Sequence, residues 1–197
     1  AAELLAATPE ASEDRIGRPL RRIERAAADM ETIIESFLWL ARGRVAGEPS
    51  PAPTPLAPIV ERVLERHEHL LAGKPIQVGV TRRAALAVAA PPAVLEVAVG
   101  NLVANAFHFT ETGSVTIEID EESVLVADTG PGLASEEVER AARPFVRGDR
   151  SAGFGLGLDI VRSLCERFGW RLEIEGGAGT GTRARLDFTA EPTATPP

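Results

Sequence analysis

Hydrophobic and polar positions follow two recurring patterns from residue 59 onward. Val115, Ile117 and Ile119 alternate with polar neighbours, which predicts a strand with one solvated face. Apolar residues spaced by three and four over 157–168 predict a helix instead. The predicted elements, in chain order, are a helix at about 59–72, strands at 76–82 and 86–89, a helix at 92–108, strands at 115–120 and 123–128, a helix at about 157–168, and strands at 171–175 and 182–188. This mixture favours an α+β fold, a two-layer α/β sandwich in which a mixed sheet packs on helices.

The first 43 residues carry apolar side chains at alternating spacings of three and four. This heptad pattern favours packing against other helices, although an amphipathic helix on a monomeric core has the same spacing. Residues 44–55 are rich in proline and predict an extended linker. The chain therefore divides into a helical segment at 1–43, a linker at 44–55, a globular domain at 56–190 and a disordered tail at 191–197. The heptad positions are Leu20, Ile23, Ala27, Met30, Ile34, Phe37 and Ala41.

Composition excludes several classes of function. The 197 residues include 21 Lys and Arg against 29 Asp and Glu, so no basic stripe is available for nucleic acid. The single cysteine, Cys165, favours a reducing compartment and a buried structural thiol. No apolar run is long enough to span a bilayer. Because the chain opens in a helical pattern without Met, we expect it to be a piece of a longer protein.

Three short segments follow one another in a set order after residue 100. They are Asn101-Leu102-Val103-Ala104-Asn105, Asp128-Thr129-Gly130-Pro131-Gly132 and Gly153-Phe154-Gly155-Leu156-Gly157. Each alone is weak support, since Gly-x-Gly-x-Gly is typical of flexible loops and Asp-x-Gly-x-Gly of turns. Their order and chemistry together predict a site for ATP and Mg²⁺.

Asp128 ends an apolar strand and precedes residues that turn sharply. A carboxylate there is well placed to accept the exocyclic N–H of adenine, and Gly130 and Gly132 would let the backbone approach the base without Cβ clashes. The alternative is an aspartate that only closes an Asx-turn at the end of the strand.

Asn101 and Asn105 are four residues apart, so they project from one face of their predicted helix. Their amide oxygens are hard ligands that suit Mg²⁺, and Glu96 lies upstream to orient the metal or a water. The alternative is a pair of buried asparagines that hydrogen-bond within the protein.

Gly153, Gly155 and Gly157 precede a predicted helix and would expose successive backbone N–H groups to phosphates. Arg147 and Arg150 lie upstream, where they could close on the phosphate tail. Exposed arginines are also commonly just solvated, so both interpretations of this pair stay open.

These three segments, together with Pro144-Phe145-Val146-Arg147-Gly148-Asp149-Arg150, resemble the N, G1, F and G2 boxes of the ATP-binding domain of bacterial sensor histidine kinases, in that family's order and spacing. Gly179-Thr180-Gly181-Thr182 is similar to the family's last glycine box, and residues 1–43 resemble its dimerisation hairpin, truncated at the start. The resemblance covers roughly 56–189. It implies the cytoplasmic catalytic core of a two-component sensor, which passes the γ-phosphoryl group of ATP to a histidine and then to an aspartate on a response-regulator receiver domain. A homodimer through the hairpin, and an inner-membrane connection only through regions outside this chain, are implied as well.

The resemblance also implies roles for single residues. Asp128 would bind the adenine amine and Asn105 the Mg²⁺, with Asn101 and Glu96 beside it, and Thr182 would touch the base. Phe145 and Arg147 would anchor a flexible lid between Gly132 and Gly153. The full set implied for the nucleotide is Asn101, Asn105, His108, Asp128, Gly130, Gly132, Phe145, Arg147, Arg150, Gly153, Gly155, Leu156, Gly157 and Thr182.

The sequence departs from the family pattern in two places. The box that carries the phosphate-accepting histidine is missing, and His67-Glu68 is only a superficial match, so we interpret His67 and His69 as surface residues and expect no autophosphorylation. His108 and Phe109 stand where the family usually has Lys and Tyr. Phosphate affinity would be weaker or pH-dependent if His108 faces the phosphates, and unaffected if it donates a neutral hydrogen bond or faces solvent.

Two other functions share these patterns. A nucleotide-sensing or scaffolding module would bind ATP and transfer nothing. Another ATPase of the same fold, such as a chaperone, topoisomerase or mismatch-repair ATPase, would use a catalytic carboxylate near the metal asparagine, a role open to Glu96 or Asn101. The heptad pattern and the proline-rich linker favour the kinase.

Overall fold

The computed structural model describes residues 52–132 and 156–189. The helices are α1 (Leu56–His67), α2 (Pro92–Phe109) and α3 (Leu156–Phe168), and a 3₁₀ turn (Glu68–Leu71) follows α1. The strands are β1 (Thr54–Pro55), β2 (Ile76–Arg82), β3 (Ala87–Val88), β4 (Gly113–Ile119), β5 (Ser123–Asp128), β6 (Arg171–Gly176) and β7 (Thr182–Asp187). The predicted helical hairpin, most of the predicted linker, the predicted lid and the predicted tail lie outside the described residues.

Five strands form one mixed sheet in the order β2-β4-β5-β7-β6. The β2–β4 pair is parallel, and the other three pairs are antiparallel. The strands β1 and β3 form a separate antiparallel pair. The predicted α+β sandwich is confirmed, because the buried face of this mixed sheet packs against the helices.

The core lies between the sheet and the helices. Val115, Ile117 and Ile119 are at most 1% exposed, which confirms the predicted alternation along β4. The helix α2 contacts α1, α3 and β5, and this explains why its sequence is apolar around most of its circumference. Among the described residues, no helix is both long and apolar enough to cross a membrane.

The start of the folded unit differs from the sequence prediction. The helix α1 begins at Leu56, before Pro58, because proline is tolerated in the first turn of a helix, where its missing N–H has no partner to lose. Thr54–Pro55 was predicted as linker but forms β1, and the Thr54 hydroxyl donates to the Ala90 carbonyl at 2.7 Å. Most other predicted bounds agree within two residues, and β2 and β5 agree fully.

An aromatic cluster joins the end of α3 to the sheet. Trp170 stacks on Phe168 with ring centroids 4.7 Å apart, and it meets Phe188 edge to face at 5.1 Å. The Trp170 backbone N–H donates to the Cys165 carbonyl at 2.9 Å. These contacts fix the direction in which the chain leaves α3 and enters β6.

Candidate functional site

A cleft opens between the sheet and the helices α2 and α3. Its floor is a row of side chains on three neighbouring strands, since Val126 pairs with Ala184 and Ala184 pairs with Ile174. The lining residues are Leu102, Asn105, Ala106, Phe109, Val126, Asp128, Leu158, Ile174, Thr182 and Ala184. Apolar walls with a few polar groups are typical of a site for a flat organic ligand.

Asp128 stands at one end of this cleft, where β5 ends. Its Oδ1 atom accepts the backbone N–H of Gly130 at 2.8 Å and that of Thr182 at 3.3 Å. The Gly130 bond closes an Asx-turn, so the alternative geometry considered from the sequence is present in a residue that also lines the cleft. Burial raises the pKa of Asp128, and the hydrogen bonds from Gly130 and Thr182 oppose that shift.

Glycines beside Asp128 allow two backbone segments to touch. A Cβ at Gly132 would overlap the carbonyl oxygen of Gly177, and a Cβ at Gly181 would overlap that of Asp128. Both residues have positive φ, 71° at Gly132 and 77° at Gly181. The Gly179 N–H donates to the Pro131 carbonyl at 2.7 Å and ties the segments together. We call residues 128–132 and 177–182 the loop end of the cleft.

These contacts give a second reason for two of the glycines, beside the one predicted from the sequence. Gly130 and Gly132 were expected to leave room for a base. A Cβ at Gly130 would lie 2.9 Å from Oδ1 of Asp128 and 3.0 Å from the Phe109 carbonyl, and Gly132 is packed against the 177–182 segment. Both glycines therefore have contacts within the protein, and the N–H of Gly130 also orients the Asp128 carboxylate.

The opposite end of the cleft is built from two helices. We call Asn101, Asn105, Gly157 and Leu158 the helix end. Asn101 donates from Nδ2 to the Val97 carbonyl at 2.7 Å, one turn earlier in α2. A Cβ at Gly157 would overlap Oδ1 of Asn101, so the first turn of α3 lies directly against that amide. Asn105 is half-buried and lines the cleft, as its position four residues later predicts.

The structure does not bring Glu96 to the cleft. Its carboxylate accepts from Arg62 at 2.8 Å and from Arg66 at 3.3 Å, which joins α2 to α1. Five helical residues separate Glu96 from Asn101 and nine separate it from Asn105, so at about 100° per residue Glu96 points away from both amides. The role beside the metal predicted for Glu96 is therefore not supported by its geometry.

The histidines occupy different environments. His69 is exposed, as expected, but His67 is half-buried and packs on Gly100, where a Cβ would lie 3.4 Å from its Cε1 atom. His67 Nδ1 lies 2.8 Å from the Val63 carbonyl and donates to it, and burial lowers its pKa. His108 is half-buried, and its ring meets Phe109 edge to face at 5.8 Å.

Several predicted site residues lie outside the described part of the chain. They are Phe145, Arg147, Arg150, Gly153 and Gly155, and only the backbone of Leu156 is described. Of the remaining predicted residues, the structure brings Asn105, Asp128 and Thr182 into one cleft and places Asn101 and Gly157 at its edge. The cleft walls Leu158, Ile174 and Ala184 were not singled out from the sequence, because their spacing is that of ordinary core residues.

The polar side chains of the cleft suit a nucleotide and a weakly held hard cation. A half-buried carboxylate that already accepts two backbone N–H groups suits an amine donor on an otherwise apolar base. In 52–132 and 156–189 no three His, Cys, Asp or Glu side chains gather as a metal cage. The amide oxygens of Asn101 and Asn105 suit Mg²⁺, which takes much of its shell from waters and phosphate oxygens.

Burial raises the pKa of Cys165 to about 12, so its thiol stays protonated.

Comparison with known proteins gives consistent matches. Residues 91–192 match the profile of the family described as histidine kinase-, DNA gyrase B-, and HSP90-like ATPase. Sensor protein CreC of Escherichia coli (strain K12) is 34% identical over 174 residues, which cover 82% of this chain and 36% of CreC. This chain thus spans about a third of that relative's length.

Solved structures share the fold. Full-length ShkA in complex with AMPPNP superposes with a TM-score of 0.62 at 29% identity, over 89% of this chain and 40% of ShkA. The cytoplasmic segment of histidine kinase QseC superposes with a TM-score of 0.60 at 21% identity, over 83% of this chain and 95% of that segment. The QseC likeness concerns the fold alone.

Proposed function

Because the chain belongs to the histidine kinase-, DNA gyrase B- and HSP90-like ATPase family and its curated relatives are sensor histidine kinases, we propose that it binds ATP-Mg²⁺ for phosphoryl transfer to a histidine. The observation that carries this proposal is the position of Asp128. Its carboxylate closes one end of an apolar cleft and is oriented by backbone N–H groups from two loops.

In this proposal Asp128 recognises the adenine amine. The carboxylate accepts an N–H from the base while Phe109, Val126 and Ile174 provide apolar surface for the ring. A guanine would place a carbonyl oxygen against the carboxylate, so adenine is favoured over guanine. Thr182 contributes through its N–H, which keeps Oδ1 of Asp128 in place.

The phosphates are proposed to lie toward the helix end. Asn105 and Asn101 would hold the metal through their amide oxygens, and the first turn of α3 at Gly157 would direct backbone N–H groups at the phosphates. When bound, Mg²⁺ neutralises charge on the β- and γ-phosphates. His108, Arg147 and Arg150 are proposed to add positive charge. Phe145, Gly153, Gly155 and Leu156 are proposed as parts of the lid and the phosphate loop.

The proposed reaction breaks the bond between the γ-phosphorus and its bridging oxygen, releases ADP and forms a P–N bond to a histidine. That phosphoryl group then moves to an aspartate of a response regulator. The histidines of this chain are His67, His69 and His108, and none has the sequence context of an acceptor. We propose that the acceptor lies outside this chain, in a homodimeric sensor whose kinase part is cytoplasmic and whose membrane connection lies elsewhere.

Nucleotide titration of an Asp128→Asn variant tests the site. We expect ATP affinity to fall about tenfold or more, because the amide presents one acceptor and one donor where the base requires acceptors. Asp120→Asn is the matched control, since Asp120 lies in the turn at the other end of β5 and its loss removes the same charge. Unchanged ATP binding in Asp128→Asn would show the site assignment to be wrong.

Incubation with γ-labelled ATP tests the reaction. We expect this chain alone to incorporate no phosphate, and to label an added protein that supplies the acceptor histidine. Label on His67 or His69 would overturn the assignment of the acceptor to another region. Steady ATP hydrolysis without any acceptor would favour an ATPase of the same fold instead.

A further inference from the structure

Lys74 is the one lysine in a sequence with 21 Lys and Arg residues. It follows Gly73, whose φ is 77°, in the turn between the 3₁₀ turn and β2. Its ammonium group donates to three backbone carbonyls, those of Phe107 at 2.8 Å, Thr110 at 3.0 Å and His108 at 3.2 Å. The Lys74 side chain is 19% exposed. A long cationic side chain is thus folded onto the end of α2.

These three carbonyls lie at the end of α2 and just beyond it, where helix carbonyls lack partners in the following turn. A cation there also offsets the partial negative charge of the helix terminus. An ammonium has three N–H groups that can point to three acceptors, whereas the flat guanidinium of arginine presents its donors in one plane. The chemistry of this position therefore favours lysine in a chain that otherwise uses arginine.

The clamped turn is in contact with the loop end of the cleft. Phe109 lies between the residues that Lys74 binds and lines the cleft, and its carbonyl approaches Gly130 so closely that a Cβ there would lie 3.0 Å away. Gly130 in turn donates to Oδ1 of Asp128. Movement of this turn would therefore displace the residue that orients the carboxylate.

The neighbouring residue anchors the other side of the same connection. The Pro75 carbonyl accepts the Gly113 N–H at 3.2 Å, where β4 begins. The next residue, Ser114, accepts the Thr129 N–H at 3.1 Å and donates its own N–H to the Thr129 hydroxyl at 2.9 Å. Lys74 and Pro75 thus hold both ends of the connection between α2 and β4, and the segment 128–130 rests on it.

We propose that Lys74 is a positioning residue for the adenine-binding end of the cleft, acting through the last turn of α2. This inference rests on the proposed function for its effect on ATP, and on the contacts alone for its effect on the Asp128 loop. The ammonium does not line the cleft and needs no contact with the nucleotide.

The experiment compares Lys74→Met, Lys74→Gln and the unaltered 197-residue chain, at a temperature where circular dichroism shows all three folded. Hydrogen exchange of the Gly130 and Thr182 amides is measured without nucleotide, and affinity is measured with an ATP analogue. We expect Lys74→Met to speed exchange at both amides. It should also weaken binding about tenfold, which is equivalent in free energy to one well-made hydrogen bond. Lys74→Gln keeps N–H donors but lacks the charge, so its exchange rates and affinity should lie between those of Lys74→Met and the unaltered chain. Arg83→Met, which removes an exposed ion pair with Glu118, is the control and should change neither quantity.

Rescue separates a specific ammonium role from general loss of packing. Ethylammonium added to Lys74→Ala should slow exchange at Gly130 and restore part of the affinity, whereas tetramethylammonium at equal ionic strength should do neither, since it has no N–H. Unchanged exchange at Gly130 and Thr182 in Lys74→Met would overturn the proposal. If the unaltered chain binds no ATP analogue, the proposed function fails, and the exchange data still decide the role of Lys74.

Discussion

The two ends of the cleft are built by different means. At the loop end, two backbone segments touch so closely that Gly132 and Gly181 have no room for a Cβ, and the segments are bonded from Gly179 to Pro131. At the helix end, contacts are made by the side chain of Asn101 against Gly157. The loop end is therefore fixed by main-chain packing, and the helix end by a side chain that is held by one hydrogen bond to the Val97 carbonyl.

This difference has consequences for substitution. A side chain added at the loop end must displace backbone, which is expensive because main-chain atoms carry their strands with them. A side chain added at the helix end displaces only the Asn101 amide, at the cost of its hydrogen bond to the Val97 carbonyl. We expect substitutions at the loop end to lower mainly the free energy of unfolding, and substitutions at the helix end to lower mainly ligand affinity.

The largest expected effect comes from Gly132→Ala. The new Cβ would overlap the Gly177 carbonyl and φ at this position is 71°, so the free energy of unfolding should fall by about 3 kcal/mol or more. Gly179→Ala is the matched control, because its φ of 79° is equally unfavourable but no atom lies within 4 Å of the new Cβ. It should cost only about 1 kcal/mol. Equal costs in urea unfolding would contradict the packing argument.

The next prediction concerns Asp128 and pH. Because burial raises its pKa, the contribution of this carboxyl to stability is fully present below its usual value of 3.8 and is lost as pH rises through the raised folded value. The Asp128→Asn side chain does not ionise, so it avoids this loss of stability at higher pH. Its amide oxygen can still accept the Gly130 N–H. At pH 7 the free energy of unfolding of the variant should equal or exceed that of the unaltered chain, although the variant binds ATP more weakly. The difference in stability should narrow as pH approaches 3.8, and a variant that is less stable at pH 7 would contradict this.

A smaller effect is expected from Gly157→Ala at the helix end. The methyl group would push aside Oδ1 of Asn101, while alanine favours the helix by up to about 1 kcal/mol over glycine. Stability should change by less than about 1 kcal/mol, but Mg²⁺-dependent ATP affinity should fall several-fold. Titration with and without Mg²⁺ separates the two contributions. An equal loss in both conditions would show that Asn101 does not act through the metal.

The smallest effect is expected from Glu96→Gln. Its partners Arg62 and Arg66 are about half exposed, so loss of the ion pairs should cost no more than about 1 kcal/mol. Because Glu96 faces α1, the Mg²⁺ dependence of ATP binding should not change. A clear loss of Mg²⁺-dependent affinity in this variant would restore the metal role first predicted from the sequence.

Local patterns account for what the sequence predicted correctly. The bounds of β2 and β5 follow from alternation and turn residues. Motif spacing indicated Asn105 and Asp128, which line one cleft, and their roles toward a nucleotide stay predictions. What it missed depends on distant partners. The strand at Thr54–Pro55 exists because Ala87–Val88 lies opposite. The direction of Glu96 follows from its place on α2, but its ion-pair partners Arg62 and Arg66 are distant in the chain. The contacts of Gly132 join positions 45 residues apart and leave no local trace in the chain.

The aromatic cluster at the end of α3 offers a natural optical probe. The sequence has two tryptophans, Trp39 and Trp170, so a Trp39→Phe variant would leave a single emitter, held between Phe168 and Phe188. Trp170 directly precedes β6, the strand that carries Ile174 in the cleft floor. The emission maximum of Trp170 should shift to longer wavelength as the sheet unfolds. The same emission would show in real time whether a substitution in the cleft has loosened the sheet that forms the cleft floor.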